Sequence, residues 1–260
     1  MIYLLGTSLY RRRSESIFCT EAPGAQHTAD YFLLILLGDF VNKESHEWQD
    51  QIEYHCNAVV PVTTIVLKTS AFDQWLKEGH PFATAILYAA PVVYKEDNIA
   101  LSIPEGIDKD ANYKTLHKGY LEGLHKSKEF FTGAELFIIR EQYNMAAFML
   151  HQATEQALRT ILKVGTGYHS CTHNLDRLIR YASMVSYKLP DIFPRKSDKE
   201  KQLFRLLQKA YSDTRYTDEY KINNQELGLI TGKVASVINL LAGFEKTIND
   251  LPIFQKQPNE

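Results

Sequence analysis

Ala147-Phe-Met-Leu-His-Gln-Ala-Thr-Glu-Gln-Ala-Leu-Arg-Thr-Ile-Leu162 is the stretch whose reading decides the fold. Ala147, Leu150, Ala153, Ala157 and Ile161 return at three- and four-residue steps, which is the pattern of a helix with one apolar face. A second row runs beside it: His151, Glu155 and Arg159, four residues apart, with Gln152 next to the first. Polar groups set this deep among apolar residues need partners, because burying one unpaired costs roughly 2–7 kcal/mol. Two arrangements meet that need. One is a satisfied hydrogen-bond network between helices; the other is a polar cleft that takes a ligand. The spacing alone is compatible with both.

Working outward, the chain has 260 residues, 45% hydrophobic and 23% charged, which suits a globular protein of two domains. Its net charge of −2 supplies no global basic field, so any nucleic-acid contact must use a local patch. Cys19, Cys56 and Cys171 form neither a disulfide framework nor a zinc pattern, which predicts a reducing, cytoplasmic setting. The apolar run Tyr31–Leu37 is too short to span a bilayer, and Met1–Leu5 lacks the basic segment of a signal peptide. No membrane association is expected.

The texture changes along the chain, and the fold class it predicts is α+β. In residues 1–103, Ile2–Leu5, Tyr31–Leu37, Val62–Leu67 and Val92–Lys95 read as strands. Tyr31–Leu37 lacks alternation and is therefore a central strand. Ser45–Cys56 reads as a surface helix with Trp48, Ile52 and Cys56 on one face, and Ala71–Lys77 and Ala83–Tyr88 as further helices. Pro104-Glu-Gly106 opens a linker spanning 104–111. Residues 112–250 are predicted to be helical, with helices near 112–140, 143–163, 173–186, 198–213 and 224–249, and residues 251–260 form a tail. Gly165-Thr-Gly167 ends the second of these helices, Thr172 is the expected N-cap of the third, and Pro190 and Pro194 bracket a loop.

His151-Gln-Ala-Thr-Glu-Gln-Ala-Leu158 resembles the central signature of HEPN domains (higher eukaryotes and prokaryotes nucleotide-binding). Thr172-His173-Asn174-Leu175 and Tyr211-Ser-Asp-Thr-Arg-Tyr216 resemble two further segments of that family, in the same order. The resemblance covers roughly residues 120–250. It implies a helical bundle, often a homodimer, associated with nucleotides or RNA. HEPN domains are often joined to minimal nucleotidyltransferases, and residues 1–103 resemble a degenerate one. Gly6 and Ser8 would stand for the Gly-Ser turn after the first strand, and Asp30 for the first acid of the Asp-x-Asp strand. The second acid position is Phe32, and Val62–Leu67 carries no acid. A single carboxylate does not hold two divalent ions, so no metal, no cofactor and no transferase chemistry are expected. Arg11-Arg12-Arg13 is a short basic run of a kind that is more often solvated surface than a phosphate site.

Many relatives by resemblance are metal-free ribonucleases that use an Arg followed, after four to six residues, by a His. The His moves a proton and the Arg stabilises the developing phosphate charge. No arginine in this chain is followed by a His at that spacing, and after Arg215 stand Tyr216-Thr-Asp-Glu-Tyr220. His169-Ser-Cys-Thr-His173 lacks the ligand count of a zinc site. The expected function is therefore non-catalytic binding of a nucleotide or nucleic-acid end, in a stress or toxin–antitoxin-like setting that rests on the resemblance alone. The candidate binding residues are His151, Gln152, Glu155, Arg159, Tyr211, Asp213, Arg215 and Tyr216. The alternatives are a divergent nucleotidyltransferase or ribonuclease, and a protein–protein assembly module.

Overall fold

The computed structural model describes residues 1–12, 26–39, 42–97, 99–104, 108–216 and 220–246. The chain forms two compact units, Met1–Ile107 and Asp108–Glu260.

The first unit is a four-stranded mixed sheet with helices. Its elements are β1 (Ile2–Arg12), β2 (Gln26–Leu37), α1 (Ser45–Cys56), β3 (Val62–Lys68), α2 (Thr69–Lys77), α3 (Pro81–Ala89) and β4 (Val92–Tyr94). The strand order is β3-β2-β1-β4, so β2 is an interior strand, as its unbroken apolar run predicts. β1 runs antiparallel to β2 and β4, and β2 parallel to β3 through the α1 crossover. Tyr3, Leu34, Ile65, Phe72 and Leu76 are buried in its core.

Two readings of this unit are corrected. The expected Gly6-Thr7-Ser8 turn is strand: the ladder with β2 runs on to Arg12, and Gly6 marks only a register shift after Leu4. A glycine inside a ladder marks a bulge as readily as a turn. The face of α1 also differs. Its buried side chains are Gln49 and Glu53, while Trp48, Ile52 and Cys56 are half-buried. The reason lies in β3, which is an edge strand. Glu53 accepts from the Thr64 amide (2.9 Å) and hydroxyl (3.1 Å), and Gln49 donates to the Thr64 carbonyl. The helix thus occupies backbone groups that an edge strand would otherwise leave open.

The second unit is helical: α4 (Lys109–Ile139), α5 (Tyr143–Thr166), α6 (Leu175–Ser183), α7 (Leu189–Ile192), α8 (Asp198–Tyr216), α9 (Asn224–Gly243) and a closing 3-10 turn at Phe244–Lys246. α5 is the central element, packed by α4, α6, α8 and α9. Its Leu150, Leu158 and Ile161 are wholly buried in one core with Leu175 and Leu178 of α6, Leu207 of α8, and Val234 and Leu241 of α9. α9 is long and apolar enough by length and composition to cross a membrane. Here, however, Leu227, Ile230, Val234, Val237, Ile238 and Leu241 are buried in the bundle.

Local signals set the helix ends. α5 stops at Gly167, which takes the left-handed conformation (φ 79°) that glycine adopts without strain. The N-cap of α6 is Asn174, whose side chain accepts from the Arg177 amide at 3.1 Å, and not Thr172. The Thr172 hydroxyl instead accepts from the Asn174 amide at 3.1 Å and shapes the approach. The segment expected as a loop forms the one-turn α7, with Pro190 in the first turn, where its missing N–H costs nothing.

Candidate functional site

The polar row of α5 forms a cluster around one buried carboxylate. Glu155 is 1% exposed and His151 fully buried. Arg159 Nη1 lies 3.1 Å from Glu155 Oε1, and His173 Nδ1 donates to Oε2 at 3.0 Å. His151 Nε2 approaches the same oxygen at 3.5 Å, near enough to act electrostatically but outside hydrogen-bond alignment. The other His151 nitrogen, Nδ1, lies 2.9 Å from the Leu207 carbonyl of α8 and must be the donor there, since a carbonyl only accepts. Arg159 Nη2 also donates to the Cys171 (3.2 Å) and Thr172 (2.9 Å) carbonyls. The cluster thus fastens α5 to α8 through His151 and the Leu207 carbonyl, and to the approach of α6 through Glu155, His173 and Arg159.

Burial by itself would push the Glu155 pKa up. The His151 and His173 imidazoles and the Arg159 guanidinium outweigh it and hold the group below the ordinary carboxylate range. Glu155 is therefore an anion fixed by its neighbours, and a poor general acid or base near neutral pH.

Tyr211 of α8 packs against the outer side of the cluster. Its ring stacks on His173 at 4.7 Å between centroids and 13° between planes, on His151 at 5.3 Å, and more distantly on Phe148 at 6.5 Å. The His173 side chain is 51% exposed, so this stack ends in a ring that faces solvent. The N-terminus of α6 beside it is already satisfied: Gln208 of α8 accepts from the Leu175 amide at 2.8 Å and lies 3.3 Å from that of Asp176.

The structure therefore brings together His151, Glu155, Arg159 and Tyr211 of the expected set, with Gln152 at the margin. Gln152 Nε2 and Arg159 Nε are buried without a hydrogen-bond partner. Asp213 accepts from Ser212 at 2.7 Å and has Lys209 3.5 Å away. The side chains of Ser8, Arg215 and Tyr216 lie outside the described residues, as do those of Arg11, Arg12 and Arg13. Tyr220 is buried, with its hydroxyl on the Leu206 carbonyl at 3.0 Å. Among the described residues no group of three or more His, Cys, Asp or Glu is placed to hold a metal ion. Sequence reasoning missed Gln208. It also missed the stack of His173 on Tyr211, a contact across 38 residues that no local pattern announces.

Residues 120–244 match the family model of the HEPN domain. The helical unit carries a HEPN domain. The match spans just under half of the chain and takes in all three signature segments, so the cluster around Glu155 is built from the residues that carry the family pattern. The first unit lies outside the match. No curated protein matches the chain.

Proposed function

We propose that this HEPN-domain protein binds a nucleotide or the end of a nucleic acid without cleaving it, on the outer rim of the Glu155 cluster. The observation that carries the reading is the His173–Tyr211 stack, anchored from below by a buried carboxylate and open at its outer ring. A half-exposed, orientationally fixed aromatic pair is the platform on which a base stacks. Gln152 Nε2 and Arg159 Nε, buried donors without acceptors, lie on α5 with Glu155. His151 has no exposed surface for a ligand and acts as a fastener.

Lack of cleavage is supported by the absence of any Arg followed by a His at the required spacing, and by the commitment of His173 Nδ1 to Glu155. For the first unit we propose a degenerate nucleotidyltransferase-like domain. Phe32 is a core residue of β2, and no acid stands on β3. Incubation with labelled ATP and magnesium is expected to label neither this protein nor a co-purified partner. Labelling that disappears in Asp30→Ala would contradict the proposal. A cytoplasmic homodimer through the helical unit is part of the same reading and rests on the family alone, since Val234, Ile238 and Leu241 are spent on the intramolecular core. Light scattering at micromolar concentration reads it directly.

The binding test uses His173→Gln, which retains a donor for Glu155 and removes the ring. Nucleotides and short single-stranded RNAs should raise the melting temperature of the wild-type chain, because a ligand selective for the native state stabilises it. His173→Gln should weaken that binding about tenfold, within the roughly 1–3 kcal/mol that one base–aromatic stack supplies. Unchanged affinity would remove the platform from the account.

A further inference from the structure

Gln208 of α8 stands beside the His173–Tyr211 stack. It lies three residues before Tyr211, and residues so spaced on a helix are neighbours, about 5–6 Å apart. Its Oε1 reaches the other element of the platform, accepting from the Leu175 amide at 2.8 Å and lying 3.3 Å from that of Asp176. Leu175 follows His173 by two residues, a span of at most about 7 Å. α8 is fixed at this point by His151 Nδ1, which donates to the Leu207 carbonyl at 2.9 Å. The orientation of the Gln208 amide follows from its partners: two backbone N–H groups meet it, and only its oxygen accepts from both. Both lone pairs of Oε1 are thereby spent. Nε2 keeps two donors, has no partner among the described residues and is not closed off from solvent.

Satisfying the first turn of α6 accounts for Oε1 alone. A carboxylate would serve that end better, because a helix N-terminus favours negative charge. What a glutamine adds is the pair of fixed donors on Nε2. We infer that Gln208 reads the edge of the base held on the platform and selects a keto purine over an amino purine; this rests on the stacking platform proposed above. A glutamine free at both ends recognises adenine by accepting from N6 and donating to N7. Gln208 does not have that option, since its oxygen is committed to Leu175 and Asp176. It presents donors only. Guanine and hypoxanthine offer O6 and N7 side by side, both acceptors. Adenine offers N7 next to an amino group, and a donor set against a donor leaves both unpaired.

The experiment titrates the full chain with inosine and with adenosine, which share ribose and N7 and carry a carbonyl or an amino group at position 6. The wild type should bind inosine about tenfold more tightly than adenosine, the lower end of what one base-edge pairing discriminates. Guanosine should follow inosine. Gln208→Glu keeps an oxygen for the Leu175 and Asp176 amides and sets an acceptor where Nε2 stood. Its melting temperature should stay near that of wild type while its preference turns to adenosine. Equal affinities in the wild type, or an inosine preference that survives in Gln208→Glu, would overturn the role of Gln208. The wild-type comparison needs no variant and decides the question even where Gln208→Glu folds poorly. His173→Gln separates this role from the platform. If that change weakens both nucleosides while the wild type shows no preference, the platform stands and Gln208 does not read the base. If neither nucleoside binds the wild type, the platform falls and the reading by Gln208 falls with it.

Discussion

Glu155→Ala is expected to destabilise the helical unit by about 3–5 kcal/mol, the cost of breaking a buried ion pair and leaving its partners uncompensated. The carboxylate takes Arg159 at 3.1 Å and His173 at 3.0 Å, and has His151 at 3.5 Å. Removing it leaves a wholly buried imidazole and a mostly buried guanidinium without their anion. Glu155→Gln keeps the shape and one acceptor oxygen, and should cost less. The same pair of variants reads the pH dependence. The folded-state pKa of Glu155 is depressed, so its contribution is fully present above the unfolded carboxylate value of about 4.3 and is lost as pH falls through the lower folded value. The wild type should therefore lose stability more steeply than Glu155→Gln as pH falls below about 4.3. Chemical denaturation at pH 7 and across the acid range measures both effects. A Glu155→Ala midpoint equal to wild type at pH 7 would mean that the cluster fastens nothing.

Gly123→Ala is the second large effect. At this point α4 crosses α5 so closely that a Cβ on residue 123 would lie 2.0 Å from Thr160 Oγ1 and 2.8 Å from its Cγ2. Thr160 cannot swing aside freely, being buried and donating to the Gln156 carbonyl at 2.7 Å. Overpacking of this kind costs typically about 1–3 kcal/mol, and this contact stands at the upper end, because the intruding methyl meets the stem of the side chain as well as its tip. Thr160→Ala removes the two atoms nearest the new methyl, so the double variant should recover part of the loss. That makes the coupling between the two sites favourable and measurable in a double-mutant cycle. Additive losses would show that the two helices part at this crossing at little cost.

The central helix was legible because its information is local. The apolar steps from Ala147 to Ile161 define the buried face of α5, and the row beside it defines the polar one. Gly167 as a helix stop was legible for the same reason. What failed was pairing over distance. Gly6 followed by Thr and Ser reads as a turn until its ladder partner Phe32, 26 residues on, is seen to continue the strand. Trp48 and Ile52 look like the inner face of α1 until the open edge of β3 draws Gln49 and Glu53 inward to Thr64. Thr172 and Asn174 are both good caps by type, and the choice between them depends on where the Arg177 amide falls.

The candidate site divides along the same line. The row of His151, Glu155 and Arg159 was visible as a stripe, and the open question of network or cleft is answered at its centre by burial: Glu155 is satisfied by the protein itself. The solvent-facing parts come from elsewhere. His173 reaches Glu155 from the approach to α6, and Tyr211 stacks on it from α8. No spacing rule relates these residues, and each contact depends on helices being in place first. The resemblance to HEPN domains marked the segments of His173 and Tyr211 without saying that their rings touch.

The central claim is the proposal that the HEPN domain binds a nucleotide or nucleic-acid end and performs no cleavage on it. It is tested most directly by incubating the full chain with an end-labelled, 5′-phosphorylated single-stranded RNA and resolving free, bound and cleaved species in one experiment. The account predicts a retained complex from which the RNA is recovered at full length, with retention weakened in His173→Gln. Shortened RNA whose appearance requires His173 would contradict it, and so would an RNA that never binds at micromolar protein.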